Sequence, residues 1–323
     1  MKVHLLVATA ALLGLAACGT AEQPPESGTN QGGAFPRTIS HAMGSTEVRS
    51  APTRIAALDT SYVDAALALD LDVVAYTDYP ATGTSFPAYL GDGAKAHTKD
   101  AKAVGKLAEP NLETLATTAP DLIVSAKVRH EPLYDKLSAI APTVFSETTG
   151  ATWKENIRLL ARATGREELA EEKISAYEQR AAKVGDSIRS KVGHNPTFSL
   201  VRFVAGEQTV RLYTPNSFPG IVLSDVGLAR PEGQPTSEKI SANLSLEQIA
   251  SVDAEKIFVA TWDDGTGGSA KVRDQFRANP LWSLLKGAQQ DVNDVVWLTS
   301  VSLQGAHGML DDLAKSFGVD PAR

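Results

Sequence analysis

The chain is 323 residues long, 43% hydrophobic and 21% charged, with a formal net charge of −7. That balance is ordinary for a soluble globular protein, and the length allows two compact domains. The acidic excess and the lack of a Lys/Arg-rich run exclude a nucleic-acid footprint, so no nucleic-acid partner is expected.

Lys2 precedes an apolar run at residues 5–13, too short to span a bilayer, and then Leu15-Ala16-Ala17-Cys18. The pattern resembles a bacterial lipoprotein precursor, in which the residue at the position of Cys18 becomes the lipidated amino terminus. Cys18 is the only cysteine, so no disulfide or thiolate metal site competes for it. The resemblance implies a signal peptide over residues 1–17 and acyl chains that hold the protein on the extracellular face of the cytoplasmic membrane. Anchoring of an otherwise soluble protein fits a cell without a closed periplasm, hence a Gram-positive source. Residues 18–35 are rich in Gly, Pro, Ser, Thr and Gln. They are expected to form a flexible tether spanning roughly 23 Å as a coil.

Residues 36–150 alternate strand and helix patterns. Short β-rich segments at 38–40 and 46–49 precede a buried-looking strand at 54–58 (RIAAL) that ends at Asp59-Thr60-Ser61. A helix is expected over 62–69, a strand at 73–76, a short helix over 111–118, a strand at 121–125, a helix over 131–140 and a strand at 143–145. Strands that are nearly all apolar, alternating with helices, indicate a parallel sheet covered on both faces.

Residues 151–191 are the connecting helical segment. Thr152 with Glu155 reads as a capping box, and Trp153, Ile157, Leu160 and Ala161 form a stripe that stops at Gly165. From Arg166 the stripe restarts at Ile174, Tyr177, Ala181, Val184 and Ile188, in steps of three and four. A helix over 166–191 would reach about 39 Å. In residues 192–323, strands are expected at 198–203 and 209–213, a helix over 218–226, a helix over 246–252 and a strand at 256–260. A helix beginning at 279, a strand at 294–298 and a last helix over 309–317 follow. The run Leu112-Glu113-x-Leu115-Ala116…Ile123…Ala126 recurs as Leu246-Glu247-x-Ile249-Ala250…Ile257…Ala260 with every spacing kept. The expected fold class is therefore α/β, with two similar lobes bridged by one long helix.

No Gly-x-Ser-x-Gly elbow, Cys–His pair or P-loop is present, and Gly265-Thr266-Gly267-Gly268 follows no β-to-α turn that would suit a dinucleotide. The histidines at 41, 97, 130, 194 and 307 lack ligand spacing, so no protein-held metal and no cofactor are expected. His130 is expected to cap the following helix or face solvent. Recognition chemistry is richer. Ligands of open α/β sheets bind beyond the carboxyl ends of strands, and the residues there include Tyr62, Asp78, Tyr79, Lys127, Arg129, His130 and Trp262. Arg202, Arg211 and Tyr213 lie on the paired strands opening the second half, with Ser217 and Phe218 shortly after. Arginine forks and aromatic faces suit a large, oxygen-rich ligand. The alternative for the two strand arginines is a structural ion pair, with Asp225 or Glu207 as partner.

Several elements occur in an order that resembles the substrate-binding lipoproteins of ABC importers, of the class that captures ferric siderophores and cobalamin. They are Met43-Gly44 with Pro52-x-Arg54-Ile55, and Pro110-Asn111-Leu112-Glu113 with Pro120-Asp121-Leu122-Ile123. Arg129-His130-Glu131…Tyr134-x-x-Leu137…Ile140-Ala141-Pro142-Thr143 comes next, then Val201-Arg202-Phe203, Arg211-x-Tyr213…Ser217-Phe218-x-Gly220 and Asn279-Pro280-Leu281-Trp282. The likeness covers residues 36–323. It implies a ligand cleft between the two lobes, and a non-enzymatic, monomeric receptor that delivers a ferric siderophore, hydroxamate by first choice, to an ABC permease dimer. Arg202 and Arg211 would meet the chelating oxygens, and Tyr213, Trp262 and Tyr79 would pack on the organic skeleton. Glu113 and Glu247 would meet permease arginines, one from each lobe. Iron would enter only inside its chelate. Ferric citrate, cobalamin or haem are the alternative cargoes, and a surface-anchored hydrolase is the alternative from another class. One departure is the loop at 299–305, which has no aromatic or charged residue where many relatives contribute a ligand contact.

Overall fold

Short apolar strands that need cover on both faces build two separate sheets, each flanked by helices, with one long helix packed between them. The computed structural model describes residues 34–80, 82–235, 237–263 and 265–323. The expected signal peptide, Cys18 and nearly all of the tether lie outside the described residues.

β1 (Arg37–His41) and β2 (Gly44–Val48) form an antiparallel hairpin. Then come β3 (Arg54–Ala57), α1 (Thr60–Ala68), β4 (Asp72–Tyr76), α2 (Ala94–His97) and β5 (Lys102–Ala103). A second hairpin pairs β6 (Gly105–Lys106) with β7 (Glu109–Pro110). α3 (Leu112–Thr117), β8 (Leu122–Ala126), α4 (Lys127–His130), α5 (Tyr134–Ser138) and β9 (Thr143–Ser146) complete the half. The first sheet is all parallel, in the order β5-β4-β3-β8-β9.

α6 (Trp153–Thr164) and α7 (Glu167–Val192) lead to β10 (Phe198–Phe203), β11 (Val210–Tyr213) and α8 (Phe218–Asp225). β12 (Ser241–Leu244), β13 (Lys256–Thr261), α9 (Gly268–Arg277), β14 (Ala288–Asp291) and α10 (Leu303–Phe317) finish the chain. The second sheet has the order β12-β11-β10-β13-β14, with β11 antiparallel to both of its neighbours and β13 and β14 parallel to β10. The sequence echo falls on equivalent places. β8 and β13 are each fourth in their sheet, and Leu115 and Ile249, which precede them, are both buried.

α7 carries Ile174, Tyr177, Ala181, Val184 and Ile188 on one buried face. It packs on α6, which contacts β9 of the first sheet, and on α8 and α10, whose buried side chains share one core with Leu200 and Phe258 of the second. Tyr177 Oη donates to Asp225 of α8 at 2.8 Å, and Arg180 Nη2 meets Asp311 of α10 at 2.5 Å. Gly165 and Gly193, at φ 72° and 85°, adopt the left-handed conformation that stops α6 and α7. One apolar core therefore runs from Ile55 and Val124 of the first sheet through Leu160 and Tyr177 to Leu200, Phe258 and Met309. The outer faces keep separate cores, around Phe145 on the first sheet and Phe203 on the second.

Four local expectations are corrected. Thr152 does not cap α6 with its side chain; its hydroxyl donates instead to the Thr148 carbonyl at 3.1 Å. The reciprocal capping box forms at Ser245 and Gln248, opening a 3-10 turn over Leu246–Val252. The pattern near 279 yields only one 3-10 turn, Trp282–Leu284. Residues expected as a strand at 294–298 form a π-turn, Val295–Thr299, and the strand lies earlier, at β14. The apolar residues of that turn point inward because Trp297 stacks on Phe258 at 4.8 Å.

Candidate ligand-binding site

Register places the site. Phe198, Leu200 and Arg202 alternate with Val201 and Phe203 along β10, so Arg202 stands on the inner face, at the carboxyl end. Arg202 is directly opposite Arg211 of β11 on one side and Ala260 of β13 on the other, and Arg211 is opposite Asn243 of β12. Asn243, Arg211, Arg202 and Ala260 thus form a single row across four strands, and same-face neighbours at this spacing act together. Trp262, just past β13, stacks on the Arg202 guanidinium at 4.8 Å. Tyr213 Oη lies 3.4 Å from Arg202 Nη1.

Every arginine of the site has its own carboxylate. Asp294 accepts from Nε and Nη2 of Arg202, both at 2.6 Å, in a bidentate pair whose side chains are 11% and 6% exposed. Burial opposes the Arg202 charge, but Asp294 and Tyr213 together outweigh it and raise the guanidinium pKa. Glu207 accepts from Arg211 Nε at 3.1 and 3.0 Å and also pairs with its Nη2, but these side chains are 29% and 26% exposed. At the carboxyl ends of the first sheet, Arg129 Nε donates to Asp59 at 2.9 Å. Asp59 also caps α1, accepting from the Ser61 amide. The structural alternative named for Arg211 thus holds with Glu207, whereas Arg202 pairs with Asp294 and not with Asp225.

Several residues expected as contacts lie in the interior instead. Ser217 is buried as the cap of α8, accepting from the Gly220 amide at 3.0 Å and donating to the Thr214 carbonyl. Phe218 fills the core edge-on against Trp153 at 5.7 Å. Tyr62 and Tyr79 are each 1% exposed, and Tyr79 Oη donates inward to Asp64. His130 is interior too, linked to Ser125 Oγ at 2.7 Å and the Leu107 carbonyl at 2.6 Å, so it neither caps nor faces solvent. Its pKa is lowered by burial. Among the described residues no cluster of three His, Cys, Asp or Glu side chains is arranged to hold a metal ion. Trp262, Arg129 and Arg211 keep partial exposure at the strand ends, and Tyr213 lines the inner face beside them.

The family model of periplasmic binding proteins matches residues 55–292. The chain belongs to the periplasmic binding protein family. YfiY of Bacillus subtilis (strain 168), a probable siderophore-binding lipoprotein, is 35% identical to this binding protein over 98% of this chain and 99% of its own length. YfmC of the same organism, an Fe(3+)-citrate-binding protein, is 26% identical over 86% of this chain and 85% of its own. The crystal structure of Staphylococcus aureus SirA complexed with staphyloferrin B matches with a TM-score of 0.80 at 28% identity, covering 88% of this chain and 99% of that one. The family is named for periplasmic binding proteins, and YfiY and YfmC are named as binding proteins.

Sequence reasoning missed three residues of the candidate site. Asp294 and Asp59 are acids that sit far along the chain from the arginines they neutralise, so only the fold joins them. Asn243 had a usable signal, because it is polar at an alternating position of a strand ending in buried Leu244.

Proposed function

We propose that this binding protein captures a ferric siderophore outside the cytoplasm and delivers it to an ABC permease. The observation that carries the reading is the row Asn243–Arg211–Arg202 at the strand ends, with Trp262 stacked on it. It supplies fixed donors and an aromatic face for an oxygen-rich, bulky chelate. Names of the relatives add support, since they bind siderophores or ferric citrate. Iron arrives already enclosed in ligand oxygens, so the receptor holds it without metal ligands or a cofactor of its own. Hydroxamate chelates are the favoured class, because each site arginine is already balanced by an acid. The protein acts as a monomer, and Cys18 carries the lipid anchor on the outer face of a Gram-positive cytoplasmic membrane.

Calorimetry and tryptophan fluorescence against a panel of ferric hydroxamate, catecholate and citrate complexes test this reading. Saturable binding of at least one chelate is the expected result. No binding by any of them refutes it. A siderophore degraded by the purified protein would favour hydrolysis instead.

A further inference from the structure

We propose that Asp294 determines the charge of the chelate this protein accepts, tuning it toward ferric complexes with little net charge. The inference rests on the siderophore-binding reading and adds which chelates are preferred and why.

Arg202 occupies the centre of the row, where a polyanionic chelate would gain most from a cation. Its fork is already closed, with Nε and Nη2 each at 2.6 Å from Asp294 and both side chains nearly buried. Nη1 faces Tyr213 Oη, and the guanidinium carbon lies over the Trp262 ring at 4.8 Å. In such a site a charge is weakly screened, so the field at the cleft depends on whether its partner is present. With Asp294 ionised the pair contributes a dipole and no net charge. Glu207 treats Arg211 in the same way, and Asp59 treats Arg129. Lys239, just before β12, is exposed and lines a pocket with Arg211 and Asn243, and Asp263 beyond Trp262 is an exposed acid, so these two add one charge of each sign.

A ferric trishydroxamate fits this balance, since three singly charged hydroxamates cancel the charge of the iron. Tris-catecholate and citrate complexes carry surplus negative charge. They would need an uncompensated arginine, and the buried acid withholds it.

The test measures the dissociation constants of an uncharged ferric trishydroxamate and of ferric citrate, by calorimetry at fixed ionic strength. The proteins are the full chain and its Asp294→Asn, Glu207→Gln and Arg202→Gln/Asp294→Asn variants. The wild-type protein should prefer the trishydroxamate. Asp294→Asn frees the Arg202 charge and should move the ratio of the two constants about tenfold or more toward citrate. The double variant removes both charges and should return the ratio to within about threefold of wild type, which a merely structural role for Asp294 would not produce. An Asp294→Asn protein that binds both chelates with an unchanged ratio overturns the proposal, as does a wild-type preference for citrate. Should Asp294→Asn fail to fold, Glu207→Gln on the more exposed pair carries the test, with a shift of about threefold toward citrate expected and no shift overturning it. Binding of neither chelate by the wild type refutes the receptor reading itself, and this inference with it.

Discussion

Ser300 Oγ donates a 2.7 Å hydrogen bond to the carboxyl of Asp64, joining the segment before α10 to the middle of α1 across most of the chain. Asp64 is fully buried and also accepts from Tyr79 and Tyr89, while Gln304 Nε2 donates to its backbone carbonyl at 2.8 Å. Burial pushes its pKa up to about 7, against the downward pull of the hydrogen bonds from Ser300, Tyr89 and Tyr79. In the unfolded chain the same carboxyl loses its proton near pH 4, at about its ordinary value. The native state therefore holds a proton that the unfolded state has released. The stability this contributes is full below about pH 4 and is lost as pH rises through about 7. The separation sets an upper bound of about 4 kcal/mol. Thermal melts from roughly pH 4 to 8 should show the wild type losing more stability than Asp64→Asn, whose neutral side chain does not titrate. Parallel curves would show that Asp64 does not carry this dependence.

The arginine pairs predict unequal consequences of truncation. Arg202→Ala leaves Asp294 charged, buried and alone, which costs about 3–5 kcal/mol of stability. Arg211→Ala strands only the partly exposed Glu207, so stability should change by less than about 1 kcal/mol. Chelate affinity should still fall about tenfold or more in Arg211→Ala, through loss of a charge-assisted donor. Urea titration and calorimetry on the two variants separate these effects. Equal stability losses would contradict the burial argument, and an unchanged affinity in Arg211→Ala would remove it from the site.

The long helix was legible because burial alone fixes it, and its stripe at Ile174, Tyr177, Ala181, Val184 and Ile188 needs no knowledge of what covers it. The inner strands were legible for the same reason. β14 was not, because an edge strand reading AQQD with mostly exposed side chains carries no apolar signature. The apolar run after it reads as a strand because Trp297 is as buried in a π-turn as it would be in a sheet, with its apolar neighbours half-buried around it. At the site, Arg202 and Arg211 stood out as charges in apolar strands. Whether they were free or neutralised depended on Asp294 and Glu207, and only Glu207, four residues from Arg211, was close enough in the chain to be named. Ser217 and Phe218 serve as a helix cap and a core aromatic, roles that share the residue types of a binding loop.

Gly185 is the one glycine inside α7, and it marks where the helix meets the turn after α8. A Cβ there would lie 1.9 Å from the Val226 carbonyl oxygen, which is backbone and cannot rotate away. The helix propensity gained by alanine, about 1 kcal/mol, is smaller than the cost of forcing these elements apart, so the contact decides the sign. Gly185→Ala should destabilise the protein by about 1–3 kcal/mol, measured by urea denaturation. A stabilised variant would mean that α7 and α8 separate without cost.

The acids of the internal echo test the docking step. α3 starts at Asn111, whose amide bonds the Val104 carbonyl just beyond the carboxyl ends of β4 and β5, so Glu113 in its first turn projects from the cleft end of the first sheet. β12 runs parallel to β10, so the capped turn after it places Glu247 at the equivalent end of the second sheet. Both are exposed. The Ser245 hydroxyl at 2.7 Å lowers the Glu247 pKa and keeps it ionised. Two like charges in matching helical first turns fit a transporter that senses both lobes at once. Reversing both, as Glu113→Lys with Glu247→Lys, should leave chelate affinity within about twofold, because solvent screens exposed charges at this distance. Cellular uptake of the radiolabelled ferric chelate should fall by about tenfold or more, since like-charge contacts disfavour docking. Normal uptake by the double variant, with chelate binding intact, would remove both glutamates from the permease interface.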